Sequence, residues 1–392
     1  MKPIYLDYQA TTPLAPEAAA AMRPWLDDKF ANPHSPHRLG REAAAAIEAA
    51  REQVLRALTP PPAHVAPHAH VERSRDIEAS GSLYFTSGAT EALNWALKGT
   101  LTGLPPERRR IVTLATEHAA VLDTAEWLAR MGAEVDILPV GAHGLVDLDL
   151  AAQRITDRTG ILAAMLVNNE IGIVQPIEQI AEIARTRGAL FLCDAVQGFG
   201  RVPLPLHACD MVAVSAHKVH GPKGIGALWV RKGVTLDPLL HGGGQEGGVR
   251  SGTLSPALCA GFGAAAHLLV ERAGQDHAHV ARLAARARAL TAGWTLNGSA
   301  EHRYAGNLNL RRPGVDAGRL ISDVRGVAFS AGSACASGSG RPSHVLRAIG
   351  LSDAQARSSI RLGFGRYTSE EELVEAITLI DQAAERQLSL AA

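Results

Sequence analysis

The feature that most constrains this chain is an alternation. Seven short β-branched or apolar runs, SLYFT (82–86), RIVTLA (110–115), EVDILP (134–139), GILAAMLV (160–167), ALFLCD (189–194), DMVAVS (210–215) and GALWV (226–230), are separated by stretches of helical periodicity such as 91–98, 119–131 and 177–187. Strands alternating with helices give a mostly parallel sheet covered by helices on both faces, so the fold class is α/β. An Ala-rich helix is predicted over 41–58, with Ile47, Val54, Leu55 and Leu58 on one stripe. Beyond about Cys259 the pattern changes. Long helical segments (260–290 and 370–388) flank the short runs NLNL, GVAFS and SSIRLGF, which reads as a smaller α+β domain.

With 392 residues, 46% hydrophobic and 20% charged, the chain can bury a substantial core, which excludes disordered and collagenous classes. Its 39 basic and 39 acidic residues cancel, so no overall field draws it to nucleic acid or an anionic membrane. The opening MKPIYLDYQATTP lacks the apolar stretch of a secretory signal, and no apolar run is long enough to span a bilayer; a cytoplasmic location is expected. Residues 60–80, rich in Pro, Ala and His, read as an exposed insertion, and His64, His68 and His70 within it lack the carboxylate or thiolate support of a metal site.

In open parallel sheets ligands lie beyond the carboxyl ends of the strands, and here those ends are polar. Ser87-Gly88-Ala89-Thr90 opens a helix whose free N–H groups suit a phosphate. Thr116-Glu117-His118, Asn168-Asn169-Glu170, Asp194 with Gln197, and Ser215 with His217 and Lys218 follow later runs. Each alone fits a helix cap or a satisfied buried group. Together they supply an anion cradle, an acid, a stacking imidazole and an amine, the inventory that pyridoxal phosphate requires. Only six lysines occur, and Lys218, directly after a strand, is the candidate amine, with Lys223 in GPKGIG as runner-up.

The four cysteines form no C-x-x-C pair, so neither a disulfide framework nor a zinc ribbon is indicated. Cys193, Cys209 and Cys259 sit in apolar runs and read as core residues. Cys335, within SAGSACASGSGRPSH, lies in a stretch that cannot pack a core and reads as a nucleophile on a mobile loop. HGGG (241–244) mimics an esterase oxyanion loop, but the chain contains no G-x-S-x-G. Neither GPKGIG nor GGGQEGG matches a dinucleotide or P-loop fingerprint.

The stretches LDYQATTP, FTSGATEALNWALKG, TEHAAVLDT, VNNEIGIVQPI, DAVQGFG, SAHKVHGPKGIGALWVR, HGGGQEGGVRSGT, FSAGSACASGSGRPSHVLRAIGL and SSIRLGFGRYT, in this order, resemble the cysteine desulfurases of the NifS/IscS type, class V aminotransferases of fold type I. The resemblance implies a large cofactor-binding domain (16–265) and a small domain (1–15 and 266–392) carrying the cysteine loop. It implies that Lys218 is the Schiff-base lysine, that Asp194 pairs with the pyridine nitrogen, that His118 stacks on the ring and acts in catalysis, and that Gln197 bonds the phenolic oxygen. Ala89, Thr90, Ser215 and His217 would hold the phosphate, joined by Thr253 from the partner of a homodimer. Arg361, with Asn169, would hold the carboxylate of L-cysteine, and Cys335 would take its sulfur as a persulfide and pass it to an acceptor or scaffold protein, for Fe–S cluster assembly or thio-modification. Selenocysteine lyase or another class V activity is the alternative. Gly247 stands where many members carry arginine, the 60–80 insertion is longer than usual, and no metal, membrane or direct nucleic-acid contact is implied.

Overall fold

The computed structural model describes residues 3–58, 80–331 and 342–391, so the 60–79 part of the insertion, with its three histidines, lies outside the described residues. Thirteen strands are described: β1 (Ile4–Tyr5), β2 (Gly81–Thr86), β3 (Arg110–Leu114), β4 (Glu134–Leu138), β5 (Thr159–Met165), β6 (Leu190–Asp194), β7 (Met211–Ser215), β8 (Gly226–Arg231), β9 (Thr295–Leu296), β10 (Asn307–Arg311), β11 (Val327–Ala328), β12 (Ser330–Ala331) and β13 (Ser359–Gly363).

Strands β2 to β8 form one sheet in the order β2-β8-β7-β6-β5-β3-β4. β8 alone runs against its neighbours, so the sheet is mostly parallel, as the alternation predicts. The central strands show why: every residue of β5 and of β7 is buried, as a strand covered on both faces must be. Chain order reverses between β3 and β5, which are neighbours although β4 lies beyond β3. The loops after these two strands therefore part in opposite directions and open a crevice at the carboxyl edge of the sheet.

The Ala-rich helix spans Arg38–Leu58, three residues longer than its periodicity indicates, and buries Ile47, Val54, Leu55 and Leu58 as predicted. It packs against the helix Pro256–Glu271, where a Cβ on Gly263 would lie 2.7 Å from Ala50 Cα. Alanine and glycine at this crossing let two backbones approach where larger side chains would hold them apart.

A second sheet, β12-β13-β10-β9, is antiparallel, and the helices Ala273–Leu290 and Glu370–Ala391 pack against each other. The N-terminal segment joins this part of the molecule. β1 pairs with β11, and Asp7 forms a bridge with Gly363 at the end of β13. Among the described residues, no helix is long and apolar enough to cross a membrane.

Candidate active site

The ends of β2, β3, β5, β6 and β7 lie on one edge of the sheet and open into a cavity of about 940 Å³. Ala89, Thr90, His118, Asn169, Asp194, Gln197, Ser215, His217, Lys218 and Arg361 all line it. Thr253 is exposed and is not part of this wall. Cys335 lies outside the described residues; of those flanking its segment, Ala331 belongs to β12 and Pro342 lines the cavity.

Lys218 ends a single 3-10 turn, Ala216–Lys218, directly after β7. Its Nζ donates to the carbonyls of Gln9 and Ala10, each at 2.7 Å, so the amine is aimed by backbone oxygens of the N-terminal segment. Lys223 lines the same cavity. The other described lysines lie elsewhere: Lys29 sits over the Trp25 ring and Lys98 over the Trp127 ring, while Lys232 is exposed.

Asp194 is the last residue of β6 and is 5% exposed. Its Oδ1 accepts from Val196 N at 3.0 Å. Burial pushes its pKa up, opposed by His118, the Val196 bond and Lys218. A buried carboxylate in this position calls for a cationic N–H partner. His118 caps the helix Ala119–Arg130: Ala120 N donates to its Nδ1 at 3.0 Å, which places the proton of the neutral ring on Nε2.

The helix Ala89–Thr102 starts at Gly88 with no side-chain cap, leaving its first N–H groups for a ligand. This turn presses on the sheet. A Cβ on Gly226 of β8 would lie 2.6 Å from Val214 O and 2.8 Å from Gly88 C, so only glycine fits beneath the cradle. Glu91, one turn in, accepts from Ser87 N at 2.7 Å and from Arg250 at 2.7 and 3.0 Å. Burial raises its pKa, but the Arg250 and Ser87 bonds outweigh this and hold it below the usual value. Burial, with the cations Lys218, Lys223 and Arg201, lowers His217 to about 4, so this ring is neutral at pH 7.

Arg361, on β13, is 1% exposed. It donates to Asn169 O at 3.1 Å, to Asp7 Oδ1 at 2.6 Å and to Ser330 Oγ at 3.3 Å, while its Nε meets no acceptor among the described residues. Gln197 donates to Gln9 O at 2.8 Å and accepts from Arg201 at 2.6 Å.

Four positions escaped the sequence reading of individual roles. Asp7 lies in LDYQATTP, where its pairing with Arg361 crosses 354 residues. Glu117 is fully buried; its Oε1 accepts from Met165 N at 2.9 Å, tying the end of β3 to the end of β5, while Oε2 has no partner among the described residues. Burial pushes its pKa well up. Glu170 accepts from Ser343 Oγ, and burial raises it to about 7. His344 donates from Nε2 to Glu117 O at 3.0 Å and lines the cavity. Glu117 and Glu170 each adjoin a residue with a stronger signal, and nothing in periodicity distinguishes a carboxylate that anchors a neighbour.

The model of the class-V aminotransferase family matches residues 4–65 and 67–376. The cysteine desulfurase IscS of Rickettsia bellii (strain OSU 85-389) is 42% identical over 387 residues, 96% of this chain and 90% of the relative. The chain is a cysteine desulfurase of the class-V aminotransferase family. Among solved structures, a NifS-like protein superposes with a TM-score of 0.86 at 31% identity, covering 98% of this chain and 100% of that one. A structure described as SspA in complex with cysteine superposes at 0.77 with 33% identity, covering 93% and 99%.

For a cysteine desulfurase the three remaining cysteines are as instructive as the cavity. Cys193, Cys209 and Cys259 are buried in the core. Cys209 and burial push the Cys193 thiol well up, and burial pushes Cys259 to about 12. Neither is a thiolate near neutral pH, and none of the three lines the cavity.

Proposed function

We propose that this cysteine desulfurase binds pyridoxal 5′-phosphate and converts L-cysteine to L-alanine, leaving the sulfur as a persulfide on Cys335 for transfer to an acceptor. The observation that carries this reading is the convergence of Lys218, Asp194, His118 and Arg361 on one cavity. The donor set fits the cofactor: a buried acid without a cationic partner bonded to it, an uncapped helix start, and an amine aimed by two carbonyls.

Ala89, Thr90, Ser215 and His217 would hold the phosphate, and Gln197, using the second hydrogen of its Nε2, the phenolic oxygen. When bound, the cofactor supplies an electron sink for bond breaking at the substrate. Asp194 keeps a proton on the ring nitrogen by remaining ionised opposite it. Lys218 anchors the group and is placed to move a proton at its Nζ. Arg361, with the backbone oxygen of Asn169 fixing its fork, takes the substrate carboxylate. The Cys335 thiolate attacks the substrate sulfur, forming the S–S bond as the C–S electrons leave toward the substrate carbon.

The exposed position of Thr253 supports a homodimer in which this residue completes the partner's phosphate site. The pairing of β1 with β11, and of Asp7 with Arg361, supports grouping residues 1–15 with 266–392 apart from the cofactor domain at 16–265. The same reading keeps the protein in the cytoplasm, with Fe–S assembly or thio-modification downstream.

The decisive experiment uses Cys335→Ser. This variant is expected to bind the cofactor and change its absorbance with L-cysteine, yet release no alanine or sulfide at a useful rate. Desulfuration at the wild-type rate overturns the persulfide step.

A further inference from the structure

A second cavity, of about 380 Å³, lies on the other side of Lys218, which lines both. Three guanidinium groups, Arg201, Arg303 and Arg366, border it, with Asp276 as the acid among its lining residues. Arg201 donates to Gln197 and to the Lys218 carbonyl, and its guanidinium sits 5.4 Å from the Tyr304 ring centroid; among the described residues no carboxylate meets it. Among the described residues Arg303 donates only to backbone oxygens, including Ser299 O and Ile171 O at 2.9 Å, and its buried Nε has no acceptor. The Arg366 side chain is 3% exposed. Its Nε donates to Asp276 Oδ2 at 2.8 Å, and Nη2 lies 2.6 Å from the same oxygen off the hydrogen-bond direction, while the buried Nη1 has no partner among the described residues.

Among the described lining residues, the three arginines and Lys218 face one carboxylate, Asp276, which Arg272 also approaches at 3.6 Å, so positive charge is in excess around a partly open space. Burial is costly for such groups unless they are paired, and it draws Arg201 below its usual pKa and Arg303 down to about 10. One part of the wall is apolar, formed by Val202, Leu269, Val280 and Ala305 with the Tyr304 ring; Lys218, His220 and His277 also line the space. Guanidinium forks bind carboxylates in a bidentate manner, and apolar walls select a hydrocarbon body. The volume falls within the range of small-molecule sites, roughly 300–1,000 Å³.

We propose that this cavity is a binding site for a small organic monocarboxylate, the carboxylate on Arg366 and Arg303 and the apolar body against Leu269 and Val280. It is separate from the substrate site, where Arg361 supplies the guanidinium. Arg201 connects the two, since it holds the carbonyl of Lys218 and the amide of Gln197.

The test reads binding rather than turnover, so it is independent of the reaction assigned above. Phenylacetate is added to the cofactor-loaded protein, and the melting temperature is followed against 2-phenylethanol and sulfate as controls. Phenylacetate is expected to raise the melting temperature by several degrees at millimolar concentration, with 2-phenylethanol producing no shift and sulfate a smaller one. The shift should vanish in Arg366→Gln and in Val280→Phe, which keeps every arginine but fills the space, and persist in Arg361→Lys. An equal shift in both cavity variants, its loss in Arg361→Lys alone, or an equal effect of 2-phenylethanol overturns the proposal. Should Arg366→Gln fail to fold, Val280→Phe decides.

Discussion

Arg361 and Asp7 lie at opposite ends of the chain, yet the guanidinium donates to the carboxylate at 2.6 Å inside the cavity wall. The arginine is 1% exposed and the Asp7 side chain 17%, so the ion pair is largely withdrawn from water. The cost of removing one partner is the charge left behind. Asp7→Asn is therefore expected to lose about 2–4 kcal/mol of stability in urea unfolding. Arg361→Lys, which keeps the charge but not the fork, should raise KM for L-cysteine about tenfold or more with a smaller change in kcat. Unchanged KM in that variant would remove Arg361 from carboxylate recognition.

The two lysines in the cavity make distinct predictions. Lys218, aimed by Gln9 O and Ala10 O, should carry the borohydride-reducible link to the cofactor. Lys218→Ala should abolish it and Lys223→Ala preserve it, read by mass spectrometry of the reduced protein. The reverse result would move the amine to Lys223.

Gly226 lies beneath the start of the helix Ala89–Thr102, the proposed phosphate cradle, and a methyl there meets backbone atoms of Val214 and Gly88 that cannot rotate away. Gly226→Ala should displace the start of the helix Ala89–Thr102, costing about 1–3 kcal/mol of stability and weakening cofactor affinity more than tenfold. Titration of apoprotein with pyridoxal phosphate measures the second effect, and unaltered affinity would place the phosphate elsewhere.

Glu170 offers a pH test. Burial raises it to about 7, above the ordinary carboxyl value of 4.5. Its contribution to stability is therefore fully present below about 4.5 and is lost as pH rises through 7, because the unfolded chain releases the proton first. Glu170→Gln keeps an acceptor for Ser343 Oγ but cannot ionise. Relative to wild type it should gain about 2–3 kcal/mol between pH 5 and pH 8 in urea unfolding, since each tenfold difference in proton affinity between the folded and unfolded chain is worth about 1.4 kcal/mol. A difference that stays constant over that interval would show that Glu170 does not titrate there.

What the sequence determined by itself was the mostly parallel sheet and the set of polar residues gathered at its edge. Continuous apolar runs such as GILAAMLV can be satisfied only by burial on both faces, and the polar residues after them then fall on one side, which is why His118, Asp194, Ser215 and Lys218 were legible from the chain alone. The antiparallel course of β8 was not legible, because a buried strand reads alike in either direction. Tertiary structure decided the contacts made by backbone or across great separation: the carbonyls of Gln9 and Ala10 on Lys218, Asp7 on Arg361, Ser343 on Glu170. Carbonyls are common to every residue, and a pairing 354 residues apart leaves no periodic trace, so only the folded chain reveals which groups meet. The same holds for Arg201, Arg303 and Arg366, three arginines among many in the sequence, which come together only where the fold sets them around one cavity.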